Sequence, residues 1–251
     1  RKRIAHAAAI RIFMPRGELP FAGHQTVGAA VALAERGALA AGDSAALLVL
    51  EEKIGDVRCA VTRGTGATFA EFDLPKLSAP LDFTVDAGAV AAALGLGPHE
   101  IGFENHRPGL WSAGVPYVTV PVAGLEPAGM ARVDAAQWLE IAPRVGGAAC
   151  APYLYCRETL GHDCAFHARM FAPWDGIAED PATGSAAAAF SGAILHFDRP
   201  GEGPHRFWIE QGIEMGRPSR IRLEIDVEGG VAKAARIGGH AVRVAEGVLL
   251  A

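Results

Sequence analysis

His24 and Asp180 are the side chains of this sequence whose type and neighbours suit them to moving a proton. An imidazole titrates near neutrality without help, and burial or neighbouring charge tunes a carboxylate. Each stands at the mouth of a run of small apolar residues. Gly23-His24-Gln25-Thr26 opens Val27 to Ala34, and Asp180-Pro181-Ala182-Thr183-Gly184-Ser185 opens a second, alanine-rich run. Helix starts carry unpaired N–H groups and a partial positive charge, and such an end holds an anion without any lysine. The chemistry this allows is general acid–base catalysis on a small acid. A structural reading competes at both places. Asp180 before Pro181 is also what a helix cap looks like, and a single histidine is often a satisfied structural residue.

The elements that must position these residues are written twice. Phe13-Met14-Pro15 matches Phe171-Ala172-Pro173, and Thr26 matches Thr183 at nearly the same offset, the mark of two copies of one unit. In each copy an arginine-flanked strand (Arg11-Ile12-Phe13, Arg169-Met170-Phe171) ends at proline and is followed by a helix. The first helix, Val27 to Ala34, is apolar all round and is expected to be jacketed by other structure. The second is expected over about Pro181 to Phe197. If the halves face each other, the two helix starts meet in one cleft.

Between them, Ala45–Leu50, Asp56–Thr62, Ala67–Leu74, Tyr117–Val122, Tyr153–Glu158, Cys164–Phe171, Arg206–Gln211, Ser219–Val227 and Val231–Ile237 read as strands, with His240–Leu250 a further one. Asp86–Leu94 and the region near Ala135–Leu139 read as helices. The fold class is α+β, two similar domains over residues 1–104 and 105–251, with the last strand a candidate to return to the first domain. Net charge is −5, and no basic cluster exceeds Arg1-Lys2-Arg3, so no nucleic-acid partner is expected. No apolar run reaches membrane-spanning length. Four cysteines without a framework spacing fit the cytoplasm.

Three segments resemble the phenazine-biosynthesis PhzF-like family, which shares the diaminopimelate epimerase fold. They are Arg11-Ile12-Phe13-Met14-Pro15 through Glu18-Leu19-Pro20-Phe21-Ala22-Gly23-His24-Gln25-Thr26, Ser112-Ala113-Gly114-Val115-Pro116, and Arg169-Met170-Phe171-Ala172-Pro173 through Glu179-Asp180-Pro181-Ala182-Thr183-Gly184-Ser185-Ala186. Glu210-Gln211-Gly212 and Gly238-Gly239-His240-Ala241-Val242 are weaker echoes, and all follow the family's order. The resemblance implies two barrels, each wrapped around a central helix, with the active site in the cleft and a homodimeric assembly. It implies isomerisation or epimerisation of a small carboxylate-bearing substrate without cofactor or metal. His24 matches the family's active-site histidine and Asp180 its active-site aspartate. Gly23, Gly184 and Ser185 match positions that hold the substrate's carboxylate. The family's main acid/base, a glutamate in a Ser-Glu-Thr motif ahead of the Gly-His, has no counterpart from Arg1 to Ile10. It is expected upstream of residue 1, where roughly 50 residues of the first domain would lie if the two copies match.

Glu18 is the one candidate stand-in for that glutamate among the residues present. Cys156, His162, Cys164 and His167 lie close in sequence, but their spacing follows no usual zinc pattern, and core thiols are the better reading. Related racemases on this fold oppose two cysteines where this chain has Gly23 and Asp180. The expected function is a cofactor-independent isomerase or epimerase. The alternatives are an amino-acid racemase and a small-acid binding module without turnover.

Overall fold

The computed structural model describes residues 7–14, 17–19, 21–38, 43–84 and 86–248, so Pro15 and Pro20 of the first motif lie outside the described residues. The chain divides into two compact units, residues 1–73 with 238–251, and residues 74–237. The division lies earlier than the junction expected near Asn105. The polar stretch there is sewn into the second unit: Asn105 donates to the Phe197 carbonyl at 2.9 Å, and His106 lies between the Tyr155 hydroxyl at 2.8 Å and Asp198 at 2.7 Å.

The first unit contains β1 (Ala8–Ala9), β2 (Ile12–Met14), β3 (Gly17–Leu19), α1 (Gly23–Leu33), β4 (Ala45–Glu52), β5 (Gly55–Thr62) and β6 (Thr68–Asp73). β4, β5 and β6 form an antiparallel meander, with β1 alongside β4 in parallel. Alternation fixes its faces: Val57, Cys59 and Val61 of β5 and Thr68, Ala70 and Phe72 of β6 all turn inward. α1 packs on this meander through Val27, Ala30 and Val31. The helix is not buried all round as expected. His24 and Ala32 are exposed, and Gly28 between them is half-buried, so one i, i+4 stripe stays open among the described residues. Small side chains make that face inexpensive to expose.

The second unit contains β7 (Ala79–Leu81), α2 (Ala87–Leu94), β8 (Gly109–Ser112), β9 (Pro116–Pro121), α3 (Leu125–Met130), α4 (Ala135–Ile141), β10 (Arg144–Val145), β11 (Ala148–Ala149), β12 (Ala151–Cys156), β13 (Phe166–Ala172), β14 (Ile177–Asp180), α5 (Gly184–Phe197), β15 (Gly203–Gln211), β16 (Ser219–Glu228) and most of β17 (Val231–Ala241). Its strands run β17-β16-β15-β13-β12-β9-β8-β7, with β14 also paired to β13. α5 lies against β7, β8, β9 and β16. Gly184 and every residue from Ala186 to Ile194 are buried, so here the wholly enclosed helix is realised. Its alanines keep it narrow and let strands close around it. Phe190, fully buried, meets the rings of Tyr155 at 4.3 Å and Phe166 at 4.9 Å. Burying a ring of this size contributes ~1.5–3 kcal/mol. α2 is capped by Asp86, which accepts from Gly88 N–H at 3.2 Å, and ends at Gly95 in the left-handed region.

Two boundaries differ from expectation. α5 begins at Gly184 rather than Pro181, because Asp180 still belongs to β14. A residue before proline is pushed toward extended backbone, which prolongs the strand. The strand expected over His240–Leu250 is absent among the described residues; β17 instead runs unbroken to Ala241, and residues 242–248 carry no strand. The last part of β17, from Gly238, belongs to the first unit, and a Cβ on Gly238 would come within 2.5 Å of the Phe69 ring and 2.9 Å of the Ala70 carbonyl. The α+β class is as read from the sequence. Among the described residues no helix is long and apolar enough to cross a membrane.

Candidate active site

The repeat has a physical counterpart in each unit. In the first, the Arg11 guanidinium grips both oxygens of Glu18 (2.9 and 3.2 Å) across the β2–β3 pair and lies 4.9 Å over the Phe13 ring. In the second, Arg169 grips both oxygens of Glu179 (2.8 Å each) across β13–β14 and lies 4.7 Å over Phe171. Bidentate pairs of this kind fix orientation as well as supplying energy. The hydrogen bond from Arg11 holds the Glu18 carboxyl below its ordinary range, so Glu18 is occupied as the counterpart of Glu179 rather than standing as a free base.

α5 begins without a side-chain cap. Thr183, its N-cap residue, donates its hydroxyl proton to Asp180 Oδ2 at 2.6 Å and accepts from Gln211 Nε2 at 2.9 Å. Gln211 Nε2 also donates to the Asp180 carbonyl at 2.7 Å, and Gln211 Oε1 accepts from Thr183 N–H at 3.2 Å. One fully buried glutamine thus staples the Asp180–Thr183 loop from both ends. Gly212 permits the approach, since a Cβ there would lie 2.8 Å from the Pro181 carbonyl, and its φ of +78° is in the glycine-favouring region. Asp180 is therefore not the cap that its sequence position suggests. It is half-buried, with one oxygen bonded to Thr183 and Oδ1 without a hydrogen bond among the described residues. The N–H groups of Gly184 and Ser185 likewise have no acceptor among the described residues. Ser185 is half-buried, its Oγ 2.8 Å from the Tyr117 hydroxyl. Asp180, Gly184 and Ser185 are brought together here.

Gly23 and His24 open α1 in the first unit, Gly23 buried and His24 exposed. Ala22 precedes them in extended conformation and supplies no side-chain cap, so this helix start also relies on other partners. Thr26, fully buried, points its hydroxyl at two oxygens, the Ala22 carbonyl at 2.8 Å and Glu52 Oε1 at 2.7 Å. A hydroxyl has one proton to give. Burial pushes the Glu52 carboxyl up, against the Thr26 hydrogen bond. The arrangement closes if Glu52 keeps its proton and donates to Thr26, which then donates to Ala22. Because the folded value is raised, this bond is intact below the ordinary glutamate value and is lost as pH climbs through the raised one. Glu52→Gln is expected to keep the hydrogen bond and flatten that alkaline decline, while Glu52→Ala costs about 1–3 kcal/mol; denaturant midpoints measured across pH decide this.

Sequence reasoning missed Glu52 and Tyr117. A usable signal existed for Glu52: Glu51 and Glu52 are adjacent in a strand, where successive side chains take opposite faces, so one of them must turn inward. Tyr117 follows the Ser112–Pro116 segment that was singled out, and that segment proves to be the β8–β9 turn, with Ser112 paired to Pro116. Of the four residues that invited a metal reading, His167 has both ring nitrogens against carboxylates, Glu210 at 2.9 Å and Glu214 at 2.8 Å.

Comparison with known proteins places these strings in a lineage. Residues 2–247 match the family model described as phenazine biosynthesis-like protein. An uncharacterized isomerase of Mesorhizobium japonicum is 63% identical over 245 residues, covering 97% of this chain and 80% of that one. The trans-2,3-dihydro-3-hydroxyanthranilate isomerase of Pseudomonas aeruginosa is 33% identical over 243 residues, covering 96% of this chain and 78% of that protein. The crystal structure of a Bacillus anthracis phenazine biosynthesis protein of the PhzF family shares the fold, with a TM-score of 0.79 and 24% identity over 92% of this chain and 76% of that one. The chain belongs to the phenazine biosynthesis-like family, an enzyme family whose relatives here bear isomerase names.

Proposed function

We propose that this protein is a cofactor-independent isomerase or epimerase that moves a proton at a carbon of a small carboxylate-bearing molecule. What carries the reading is the start of α5. Two backbone N–H groups without an acceptor among the described residues and a serine hydroxyl stand at the helix start that follows Asp180, a carboxylate with one oxygen unbonded among the same residues. Donors of this kind suit a bound carboxylate, and the free oxygen of Asp180 suits proton transfer next to it. His24, exposed on the first turn of α1, supplies a second acid/base side chain. In this proposal Gly23, Gly184 and Ser185 hold the substrate, and His24 and Asp180 handle the proton. A homodimer is part of the same proposal.

The name of the Pseudomonas aeruginosa relative makes trans-2,3-dihydro-3-hydroxyanthranilate the first substrate to try. The test is turnover of a panel of small carboxylic acids, including that one, followed by chromatography and mass spectrometry. Conversion of one acid to an isomer of unchanged mass is the expected result. Recovery of every acid unchanged, with one or more still bound, would favour a binding module instead.

A further inference from the structure

Ser185 is the one polar side chain in the first turn of α5, and something must decide which way its proton points. Its neighbour is Tyr117 of β9, whose side chain is buried and whose hydroxyl lies 2.8 Å from Ser185 Oγ. Burial pushes the Tyr117 phenol up to about 12, with Asp180 and Asp175 adding to the effect and the Ser185 hydrogen bond opposing it. At neutral pH the phenol therefore keeps its proton. Ser185 is the only hydrogen-bond partner of that hydroxyl among the described residues. Were Ser185 the donor, the tyrosine proton would be left buried without an acceptor, which is the costly arrangement. The favoured order is Tyr117 O–H donating to Ser185 Oγ. The Ser185 proton is then released to point out of the helix start, beside the open N–H groups of Gly184 and Ser185.

We infer that Tyr117 is a positioning residue that fixes Ser185 as a hydrogen-bond donor and so makes this site select a carboxylate anion over its neutral amide. A second residue supports the assignment. Tyr153 on β12 is fully buried and its hydroxyl has no partner among the described residues; burial, with a smaller push from the nearby Tyr117, raises its cost of ionisation. β9 and β12 run parallel with Tyr117 opposite Ala151 and Tyr153 opposite Thr119, so both tyrosines rise from the same face of the sheet. Neither can act as an anion at neutral pH. An acid group arriving at α5 thus meets donors from the backbone and from Ser185, with no competing acceptor from the tyrosines behind it.

The inference rests on reading Ser185 as a carboxylate contact, and the experiment separates the two. Affinities are measured by calorimetry for matched acid and amide pairs, anthranilate with anthranilamide first, on the unchanged protein, Tyr117→Phe, Ser185→Ala and the double variant. Tyr117→Phe keeps the ring and removes only the hydroxyl. The unchanged protein should prefer the acid, Tyr117→Phe should weaken acid binding about tenfold while leaving the amide nearly unchanged, and adding it to Ser185→Ala should change nothing further. Equal weakening of acid and amide, or the same loss with Ser185 already gone, would make Tyr117 merely structural and overturn the inference. If the unchanged protein shows no preference for any acid over its amide, the carboxylate reading itself fails and the inference with it.

Discussion

Replacing His24 or Asp180 with alanine is expected to lower kcat of the isomerisation by roughly 10²–10⁴-fold, the range typical of a positioned proton-transfer group. The two losses should not multiply in a double variant, because groups serving one transfer act as a unit. Folding is a lesser concern at His24, which is exposed on the first turn of α1. Asp180 also accepts the Thr183 hydroxyl, so Asp180→Asn is the informative companion. It keeps an oxygen for Thr183 and removes the titratable carboxylate. Matching losses in Asp180→Asn and Asp180→Ala locate the role in proton transfer. A small loss in the asparagine variant alone locates it in the Thr183 and Gln211 scaffold. Steady-state rates within about threefold of the unchanged protein for both His24→Ala and Asp180→Ala would remove both residues from the mechanism.

The second large effect concerns stability rather than turnover. His167 on β13 is fully buried between Glu210 and Glu214, one ring nitrogen on each. Glu210 also accepts the N–H groups of Leu160 at 2.7 Å and Gly161 at 2.8 Å, so the histidine ties the loop after β12 to the turn after β15. Burial works against a charged imidazole here, but the two carboxylates outweigh it and raise His167 above its ordinary value. Glu214 is held low against its own burial by His167 and Arg169. Removing the histidine leaves the buried Glu210 without its imidazole and Glu214 with Arg169 alone, a change expected to cost about 3–5 kcal/mol. Chemical denaturation of His167→Ala measures it, and a loss under about 1 kcal/mol would mean the imidazole is neutral and expendable.

The same pair sets a pH window. A raised histidine contributes fully below its ordinary value and loses its contribution as pH rises through the folded one. A lowered glutamate contributes fully above its ordinary value and loses it as pH falls through the folded one. The cluster's contribution should be complete between pH 4.5 and 6.5, the ordinary values of the two groups, and decline outside it.

Much of the fold was legible because its signals are local. Alternation located β5 and β6, and Asp86 with Gly95 bracketed α2 at the right residues. The duplicated Arg-x-Phe strings predicted matching strands, and the structure adds the matching Arg–Glu grips that the strings alone do not state. Legibility failed where one residue serves two local rules. Asp180-Pro181 reads equally well as a cap or as the end of a strand; pairing with Met170 of β13 and the buried Gln211, both from outside the local sequence, hold it in the strand that the pre-proline preference already favours. The apolar composition of α1 likewise says that the helix tolerates burial, not that every face receives it. Tyr117 and the His167 cluster depend on partners from elements distant in sequence, Ser185 of α5, Glu210 of β15 and Glu214 in the turn after it, which no neighbouring residue announces; Glu52 could be suspected from its place beside Glu51, but not its partner Thr26 on α1.

Solvent deuterium in the product tests the proposed chemistry most directly. Turnover of the acid found in the panel is run in heavy water, and the recovered isomer is examined by mass spectrometry and proton NMR. Proton movement through exchangeable acid–base groups is expected to place one deuterium at the carbon that changed, with His24→Ala and Asp180→Ala forming that product far more slowly. An isomer formed at full rate with no deuterium at that carbon, in single-turnover and in prolonged incubations alike, would contradict it.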